Sequence, residues 1–254
     1  MINVLKKFVG NLLLKTTGYR FIKNDKFIMQ QNSIRTDAVL DKDFLEINEK
    51  INKIYNTNTL TETNYSVYQT VKNALNLKLR GSIVECGVYQ GEKISYFLET
   101  LNKLNINNID IYIIDTFEGM TEPSNIDIQM IKKTVMNKND MSSSLENVKD
   151  RLYQTNYPRN KLHFIKMDVR KENDLRNIVK GNIMILRLDT DFYDSVLSSL
   201  NSLYSKVVQN GFIIHDDYGH WKGHYEACQK FYIDNNIDPI LIRTCRKERI
   251  EIKY

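Results

Sequence analysis

The chain contains little cysteine: Cys86, Cys228 and Cys245 are the only three in 254 residues. They show no CxxC spacing, and their odd number argues against a disulfide framework. Cys86 lies inside an apolar segment, which is typical of a small buried hydrophobic residue. Because unpaired thiols suit a reducing compartment, we expect a cytoplasmic protein.

Long apolar runs and a dominant charge are also absent. No stretch approaches the roughly 18 apolar residues of a membrane-spanning helix, so no transmembrane segment is predicted. The net charge is +5, and the lysines are scattered among asparagines. This pattern favours a solvated face over a nucleic-acid-binding stripe. A short stripe of Val4, Phe8, Leu12 and Leu13 predicts packing on the body or on a second copy, or else weak contact with a membrane surface.

Ten glycines and three prolines are too few for long flexible linkers, and the pattern changes near residue 60. Residues 1–60 are polar, with weak helical periodicity over 44–55. We predict an N-terminal arm of one or two helices, which is a candidate homodimer contact. Residues 61–254 predict one domain, whose first amphipathic helix spans 63–78.

From Gly81 onward, strand and helix patterns alternate. The strands are expected at 82–87, 110–115, 162–168, 183–188 and 211–215, with two more at 239–243 and 249–253. Repeated β–α alternation predicts a mainly parallel sheet with helices on both faces. The last two strands are too close in sequence for a parallel crossover and must form an antiparallel hairpin. The predicted fold class is therefore α/β, with a Rossmann-like sheet of seven strands.

Acidic residues end three of these strands. Glu85 precedes the turn Gly87-Val-Tyr89-Gln-Gly91, in which Gly87 suits a positive φ and Gly91 permits close approach of a ligand or a helix. Asp115 is suited to bind both hydroxyls of a ribose. Asp168, or residues beside it, is suited to bond an adenine amino group. Helix capping remains the alternative for each aspartate taken singly.

A second group of aspartates follows the next two strands. Asp189 and Asp191 come after 183–188, and the pair Asp216-Asp217 comes directly after 211–215. Because parallel strands deliver their carboxyl ends to one edge of a sheet, we expect Asp189, Asp216 and Asp217 to converge. Converging carboxylates prefer a hard divalent cation such as Mg²⁺. Asp191 has the alternative role of capping the helix that begins near Tyr193.

These motifs resemble those of class I S-adenosylmethionine-dependent methyltransferases, and more narrowly of the macrocin O-methyltransferase family. The likeness runs from about residue 60 to the C-terminus. It is carried by the segments VECGVYQG (84–91), DTFEGM (115–120), LRLDTDFYDS (186–195) and DDYG (216–219). His215 departs from the aliphatic or small residue expected before the aspartate pair.

The resemblance implies Mg²⁺-dependent methyl transfer from S-adenosylmethionine to a hydroxyl of a sugar or glycoside. It implies a metal site of Asp189, Asp216 and Asp217. It also implies a cofactor site formed by Glu85, Gly87, Tyr89, Gly91, Asp115, Phe117 and Asp168.

Three residues are candidates for the base that takes the hydroxyl proton: Asp189 first, Asp191 second and His215 third. Residues 121–144 form a long polar loop that is a candidate lid over the strand ends, with disorder as the alternative. Two other functions stay open. One is O-methylation of a catechol-like or other small diol, and the other is a non-catalytic binding role.

Overall fold

The computed structural model describes residues 37–254, apart from the side chains of residues 172 and 173. The apolar stripe predicted between Val4 and Leu13 lies outside the described residues. Its packing, dimer and membrane alternatives therefore stay predictions. No helix among the described residues is both long and apolar enough to cross a membrane.

Helices and strands alternate through most of the described chain. The helices are α1 (Lys42–Tyr55), α2 (Glu62–Asn76), α3 (Glu92–Lys103), α4 (Leu145–Tyr153), α5 (Glu172–Ile178), α6 (Tyr193–Leu203) and α7 (Lys222–Asn235). The strands are β1 (Ser82–Cys86), β2 (Ile111–Asp115), β3 (Leu162–Lys166), β4 (Ile183–Leu188), β5 (Val207–His215), β6 (Ile240–Arg243) and β7 (Arg249–Ile252).

The strands form one sheet in the order β3-β2-β1-β4-β5-β7-β6. The first five strands are parallel, and β7 runs antiparallel to both β5 and β6. The predicted sheet with its terminal hairpin is confirmed. Strand β4 is buried along its whole length. Apart from Arg187 its residues are apolar, as is typical of a parallel strand covered on both faces.

The largest boundary difference from the prediction lies between α6 and β5. The pattern of residues 195–208 predicts a helix over that whole range, but α6 ends at Leu203 and β5 already begins at Val207. Val207 pairs with Ile183 of β4, so sheet pairing extends the strand four residues before Gly211. Tertiary pairing here overrides a helical pattern that local sequence alone favours.

Helix α1 belongs to the main core. Asp41 caps its first turn by accepting from the Phe44 backbone N–H, and Phe44, Ile47 and Ile51 are buried. These side chains pack in the same hydrophobic cluster as α3 and the β1 residue Ile83. The predicted helix at 44–55 is thus present, while the domain boundary at residue 60 stays a prediction.

Candidate active site

A cavity of about 310 Å³ opens at the carboxyl edge of the parallel strands. This is the edge at which open α/β sheets bind ligands, since loops diverge there on either side of β1. The segments after β1 to β5 all contribute to its lining, together with Lys247 of the β6–β7 turn. The predicted site residues that line it are Gly87, Tyr89, Asp115, Asp168, Asp189, Asp191, Asp216 and Asp217.

At one end, Asp115 holds the glycine turn. One carboxylate oxygen accepts from the backbone N–H groups of Val88 and Tyr89, at 2.6 and 3.1 Å. The other accepts from the backbone N–H of Phe117 at 2.7 Å. Gly87 has φ = +82°, and a Cβ there would lie 2.1 Å from the backbone oxygen of Asp189. The turn after β1 therefore touches the turn after β4, which joins the two halves of the cavity.

Three residues predicted to bind the cofactor do not line the cavity. Gly91 begins α3 with φ = +86° and faces Val148 of α4 and the hydroxyl of Tyr55, so it permits close helix packing. The Phe117 side chain is buried in the core, and Glu85 is buried within β1. None of these three is among the residues that line the cavity, and their contact with a cofactor stays a prediction.

Asp168 also lines the cavity. It accepts hydrogen bonds from the Arg170 guanidinium, the closest at 2.6 Å, and from the Arg170 backbone N–H at 3.0 Å. The side-chain hydrogen bond lowers the pKa of Asp168, so its carboxylate is ionised at neutral pH. An ionised acid can accept from an amino or hydroxyl group of a ligand.

At the other end, three carboxylates converge. Oxygens of Asp189, Asp191 and Asp217 all lie within 4.8 Å of one another. Burial, reinforced by the neighbouring carboxylates, raises the pKa of Asp189 and of Asp191 well above the usual range. Each would bind a proton or a cation more readily than an isolated aspartate. Asp191 does not cap α6, because Asp127 accepts from the Tyr193 backbone N–H instead, at 2.8 Å.

Asp216 was predicted beside Asp189 and Asp217, but its oxygens are engaged by cations. Arg187 donates to one oxygen and Lys247 to the other. Burial alone would raise the pKa of Asp216, yet these two cations hold it well below the usual range. The structure therefore brings Asp191 into the open carboxylate group, while Asp216 lies in a buried ion pair next to it.

Arg187 and Lys247 are site residues that sequence reasoning missed. Arg187 projects from the apolar strand β4 with a side chain only 1% exposed, and it contacts Glu85, Asp189 and Asp216. A charged residue inside an otherwise apolar strand was the available signal, since a buried cation requires acidic partners. Lys247 lies 3.6 Å from Asp217 and gave no such signal, because its hairpin turn is distant in sequence.

His215, the unusual residue before the aspartate pair, faces away from the cavity. Its ring is fully buried, with Nε2 3.0 Å from Glu251 Oε2 and 3.2 Å from the Tyr232 hydroxyl. Its Nδ1 lies 3.4 Å from the sulfur of Cys228. This position fits a core hydrogen-bond network beneath the site and separates His215 from any acceptor hydroxyl in the cavity.

The middle of the loop predicted as a lid is hydrogen-bonded to the segment after β5. Gln129 forms a β-bridge with Trp221, and the backbone N–H of Met130 donates to the His220 carbonyl at 2.9 Å. Residues on both sides of this bridge line the cavity, including Met120 and Met136. Trp221 itself is buried against Phe192 and also lines the cavity. The middle of the loop thus forms a wall of the site, and its closing motion stays a prediction.

Sequence comparison identifies relatives of this chain among known proteins. The chain is 22% identical over 155 residues to demethyldecarbamoylnovobiocin O-methyltransferase of Streptomyces niveus, covering 60% of this chain and 58% of the relative. It is 24% identical over 140 residues to the 8-demethyl-8-(2,3-dimethoxy-alpha-L-rhamnosyl)-tetracenomycin-C 4'-O-methyltransferase of Streptomyces olivaceus, covering 54% and 53%. The chain thus spans a little over half the length of these curated relatives.

Among solved structures, the O-methyltransferase NovP superposes with a TM-score of 0.68 at 20% identity, covering 76% of this chain and 79% of that one. A likeness at this identity concerns the fold. The family model of Macrocin-O-methyltransferase (TylF) matches residues 54–245, which is well over half of the chain. This protein therefore belongs to the Macrocin-O-methyltransferase (TylF) family.

Proposed function

We propose that this protein transfers the methyl group of S-adenosylmethionine to a hydroxyl of a sugar or glycoside. A divalent cation would be held by the acid cluster of Asp189, Asp191 and Asp217. One observation carries the proposal. The glycine turn with Asp115 and the carboxylates of Asp189, Asp191 and Asp217 line the same cavity. A methyl donor at one end would lie next to an acceptor at the other. Such alignment can lower the activation barrier by several kcal/mol.

The cofactor end consists of Gly87, Tyr89, Asp115 and Asp168. When bound there, S-adenosylmethionine would supply a methyl group that its sulfonium already activates. Asp115 ties the glycine turn to the segment after β2 by accepting from the backbone N–H groups of Val88, Tyr89 and Phe117. Gly87 itself places no side chain in the donor's path. Tyr89 is 37% exposed and lines the cavity, so its ring is available to cover a ligand.

The acid end suits a cation in its chemistry. Three carboxylates within 4.8 Å supply the hard oxygen ligands that Mg²⁺ prefers. A cation held by Asp189, Asp191 or Asp217 would lower the pKa of a coordinated sugar hydroxyl. Asp216 is kept in the proposal as a neighbour of this group, since it would become available only if Lys247 moved aside.

Asp191 and Asp189 are the proposed acceptors of the hydroxyl proton. Arg187 donates to one oxygen of Asp189 at 2.8 Å, which reduces the basicity of that carboxylate. Within residues 37–254, Asp191 has no salt bridge to a cation, and this favours it as the base. With S-adenosylmethionine bound, the acceptor oxygen would take the methyl group as the carbon–sulfur bond breaks, and the hydroxyl proton would pass to Asp191 or Asp189.

The acceptor class and setting are also proposals. The tetracenomycin relative is named for methylation of a rhamnosyl group, which supports a sugar hydroxyl as the target here. Three cysteines without disulfide bonds support the reducing cytoplasm as the location. A homodimer through the N-terminal arm is kept on the sequence pattern alone.

The experiment is calorimetric titration of S-adenosylhomocysteine into the full chain, with and without Mg²⁺. We expect micromolar binding by the wild type, at least tenfold weaker binding by Asp115→Asn, and little change in Asp191→Asn. In a coupled assay with sugar acceptors, Asp191→Asn should lose at least 100-fold in kcat.

Asp234→Asn, an exposed change on α7, serves as the matched control for both measurements. Thermal melting confirms that each variant is folded. Absence of S-adenosylhomocysteine binding by the folded wild type would overturn the proposal.

A further inference from the structure

A second cavity, of about 700 Å³, lies beside the candidate active site. Its volume is in the range of pockets that hold nucleotide-sized ligands. It is bounded by the segment around Met130, the segment after β5, the start of α7 and the β6–β7 turn. None of its lining residues is also a lining residue of the first cavity.

This second cavity is strongly basic. Five cations line it against one carboxylate, Glu226: Lys133, Lys222, Arg243, Arg246 and Arg249. Within residues 37–254, none of these five forms a salt bridge. Because like charges repel, five unpaired cations around one cavity favour an anionic occupant.

Two of the arginines are held in place by the backbone. Arg249 donates to the carbonyls of Cys245 and Glu248 at 3.1 and 2.8 Å, and its guanidinium lies 5.7 Å from the ring centre of Tyr218. Arg243 donates to the same Cys245 carbonyl at 3.2 Å. A guanidinium oriented in this way loses less conformational entropy when it binds an oxyanion.

The two cavities share a wall only one chain thick. His220 and Trp221 line the first cavity, whereas their neighbours Gly219 and Lys222 line the second. In the same way, Lys247 lines the first cavity and its neighbour Arg246 lines the second. Successive Cα atoms are about 3.8 Å apart, so the two cavities approach each other closely along this wall, and one small molecule that occupies both must cross its rim.

We propose that the acceptor carries a diphosphate, as a sugar nucleotide does, and that the basic cavity binds this group while the sugar reaches the acid cluster. This inference rests on the proposed function, which it narrows to one acceptor class. Arginine and lysine are the usual ligands of phosphate oxygens, and Arg binds them through two parallel hydrogen bonds. A neutral glycoside would leave all five cations without a partner.

An aromatic pair favours a nucleotide over other diphosphates. Tyr225 is 37% exposed at the cavity and packs edge-on against Tyr218, with ring centres 5.2 Å apart. Tyr218 itself is only 8% exposed, and its hydroxyl accepts from the Gln229 amide. The open face of Tyr225 is therefore available to stack on a nucleobase.

The test is calorimetric titration of uridine diphosphate, and separately of pyrophosphate, into the full chain. In Lys222→Ala/Arg246→Ala we expect at least tenfold weaker binding of both probes. The matched control is Lys53→Ala/Lys230→Ala, which removes two exposed cations that line neither cavity and should change binding less than twofold. Absence of binding by the wild type, or equal binding by the cavity variant, would overturn the proposal.

A further variant distinguishes the sources of the diphosphate. Tyr225→Ala should weaken binding of uridine diphosphate at least fivefold and leave pyrophosphate unchanged. If Tyr225→Ala leaves the binding of both probes unchanged, the nucleotide assignment is overturned. If a short prenyl diphosphate binds more tightly than uridine diphosphate, it is overturned in favour of a lipid-linked diphosphate.

Titration of S-adenosylhomocysteine into the same preparations separates this inference from the proposed function. Binding of S-adenosylhomocysteine without the diphosphate overturns only the acceptor class. Binding of the diphosphate without S-adenosylhomocysteine overturns the methyl-transfer proposal and leaves the anion site standing.

Discussion

Gly87 combines a left-handed backbone with a close backbone neighbour. Its φ is +82°, and a Cβ would lie 2.1 Å from the Asp189 carbonyl oxygen. Gly181 offers a matched comparison, because its φ is +68° but a Cβ at that position would have no atom within 4 Å. The pair therefore separates the cost of backbone strain from the cost of contact.

We predict that Gly181→Ala lowers the free energy of unfolding by about 1 kcal/mol, the cost of a left-handed residue with a side chain. Gly87→Ala should cost about 2 kcal/mol more, since the contacting atom is backbone and cannot rotate away. It should also abolish S-adenosylhomocysteine binding. Urea denaturation and calorimetry measure both effects, and equal losses in the two variants would contradict the prediction.

Arg187 is a buried cation whose ion pairs hold two acidic side chains in the core. It forms buried ion pairs with Glu85 and Asp216, both of which are about 1% exposed. Burial raises the pKa of Glu85 to about 7, and the Arg187 charge opposes that rise. Removing the cation would leave Glu85 in the core without its ion-pair partner and Asp216 with Lys247 alone.

We predict that Arg187→Met lowers the free energy of unfolding by about 3 to 5 kcal/mol, the usual cost of breaking a buried pair from one side. The control is Arg80→Met, at an exposed position before β1, which should change it by less than about 0.5 kcal/mol. Urea denaturation at pH 7.5 gives both values. A loss below about 1 kcal/mol for Arg187→Met would show that the acids find other partners.

At the scale of the elements, Asp127 anchors the loop after β2 to two helices. This side chain is 2% exposed and accepts from the Ser124 backbone N–H and hydroxyl and from the Tyr193 backbone N–H. A Cβ on Gly223 would lie 1.9 Å from its carboxylate, so α7 packs directly against it. One aspartate thus joins the loop to the first turns of α6 and α7.

We predict that Asp127→Ala lowers the free energy of unfolding by about 1 to 2 kcal/mol, as loss of a helix cap does. It should also accelerate hydrogen exchange at residues 124–134 at least tenfold. Ser144→Ala, which removes the cap of α4, should cost about as much but leave exchange in that loop unchanged. Unchanged exchange in Asp127→Ala would mean that the bridge to Trp221 alone holds the loop.

At the scale of the whole molecule, Glu248 joins the C-terminal hairpin to α2. Its Oε1 accepts from the hydroxyls of Ser66 and Thr244, the latter at 2.6 Å. Burial, with the nearby charge of Asp216, raises the pKa of Glu248 to about 7 from the ordinary 4.5. The folded state therefore retains a proton that the unfolded state releases at a lower pH.

The sign of the pH dependence follows from that difference. The contribution of neutral Glu248 to stability is complete below pH 4.5 and is lost as the pH rises to about 7. One pKa unit corresponds to about 1.36 kcal/mol, so the loss amounts to about 3 kcal/mol. Glu248→Gln should remove this dependence, and its stability advantage over the wild type should grow by about that amount between pH 4.5 and about 7.

Urea denaturation across this pH range measures the difference between the two proteins. The exposed change Glu122→Gln is the control and should follow the wild-type curve. A constant difference between Glu248→Gln and the wild type would indicate that Glu248 has an ordinary pKa in the folded protein.

The alternation of strands and helices and the terminal hairpin were predictable because they depend on local pattern and chain length. Apolar runs ending in aspartate marked the strands, and the few residues between β6 and β7 permitted only an antiparallel turn. Gly87 was also predictable, since a glycine directly after a buried strand indicates a positive φ. These features are encoded within short windows of sequence.

The membership of the acid cluster depended on tertiary structure. The sequence favoured Asp216 over Asp191 as a metal ligand, and only the positions of Arg187 and Lys247 show that Asp216 is ion-paired. The basic cavity likewise combines segments more than 100 residues apart, from Lys133 to Arg249. The physical reason is that charge pairing depends on distances of a few ångströms across several elements, and local periodicity carries no information about those distances.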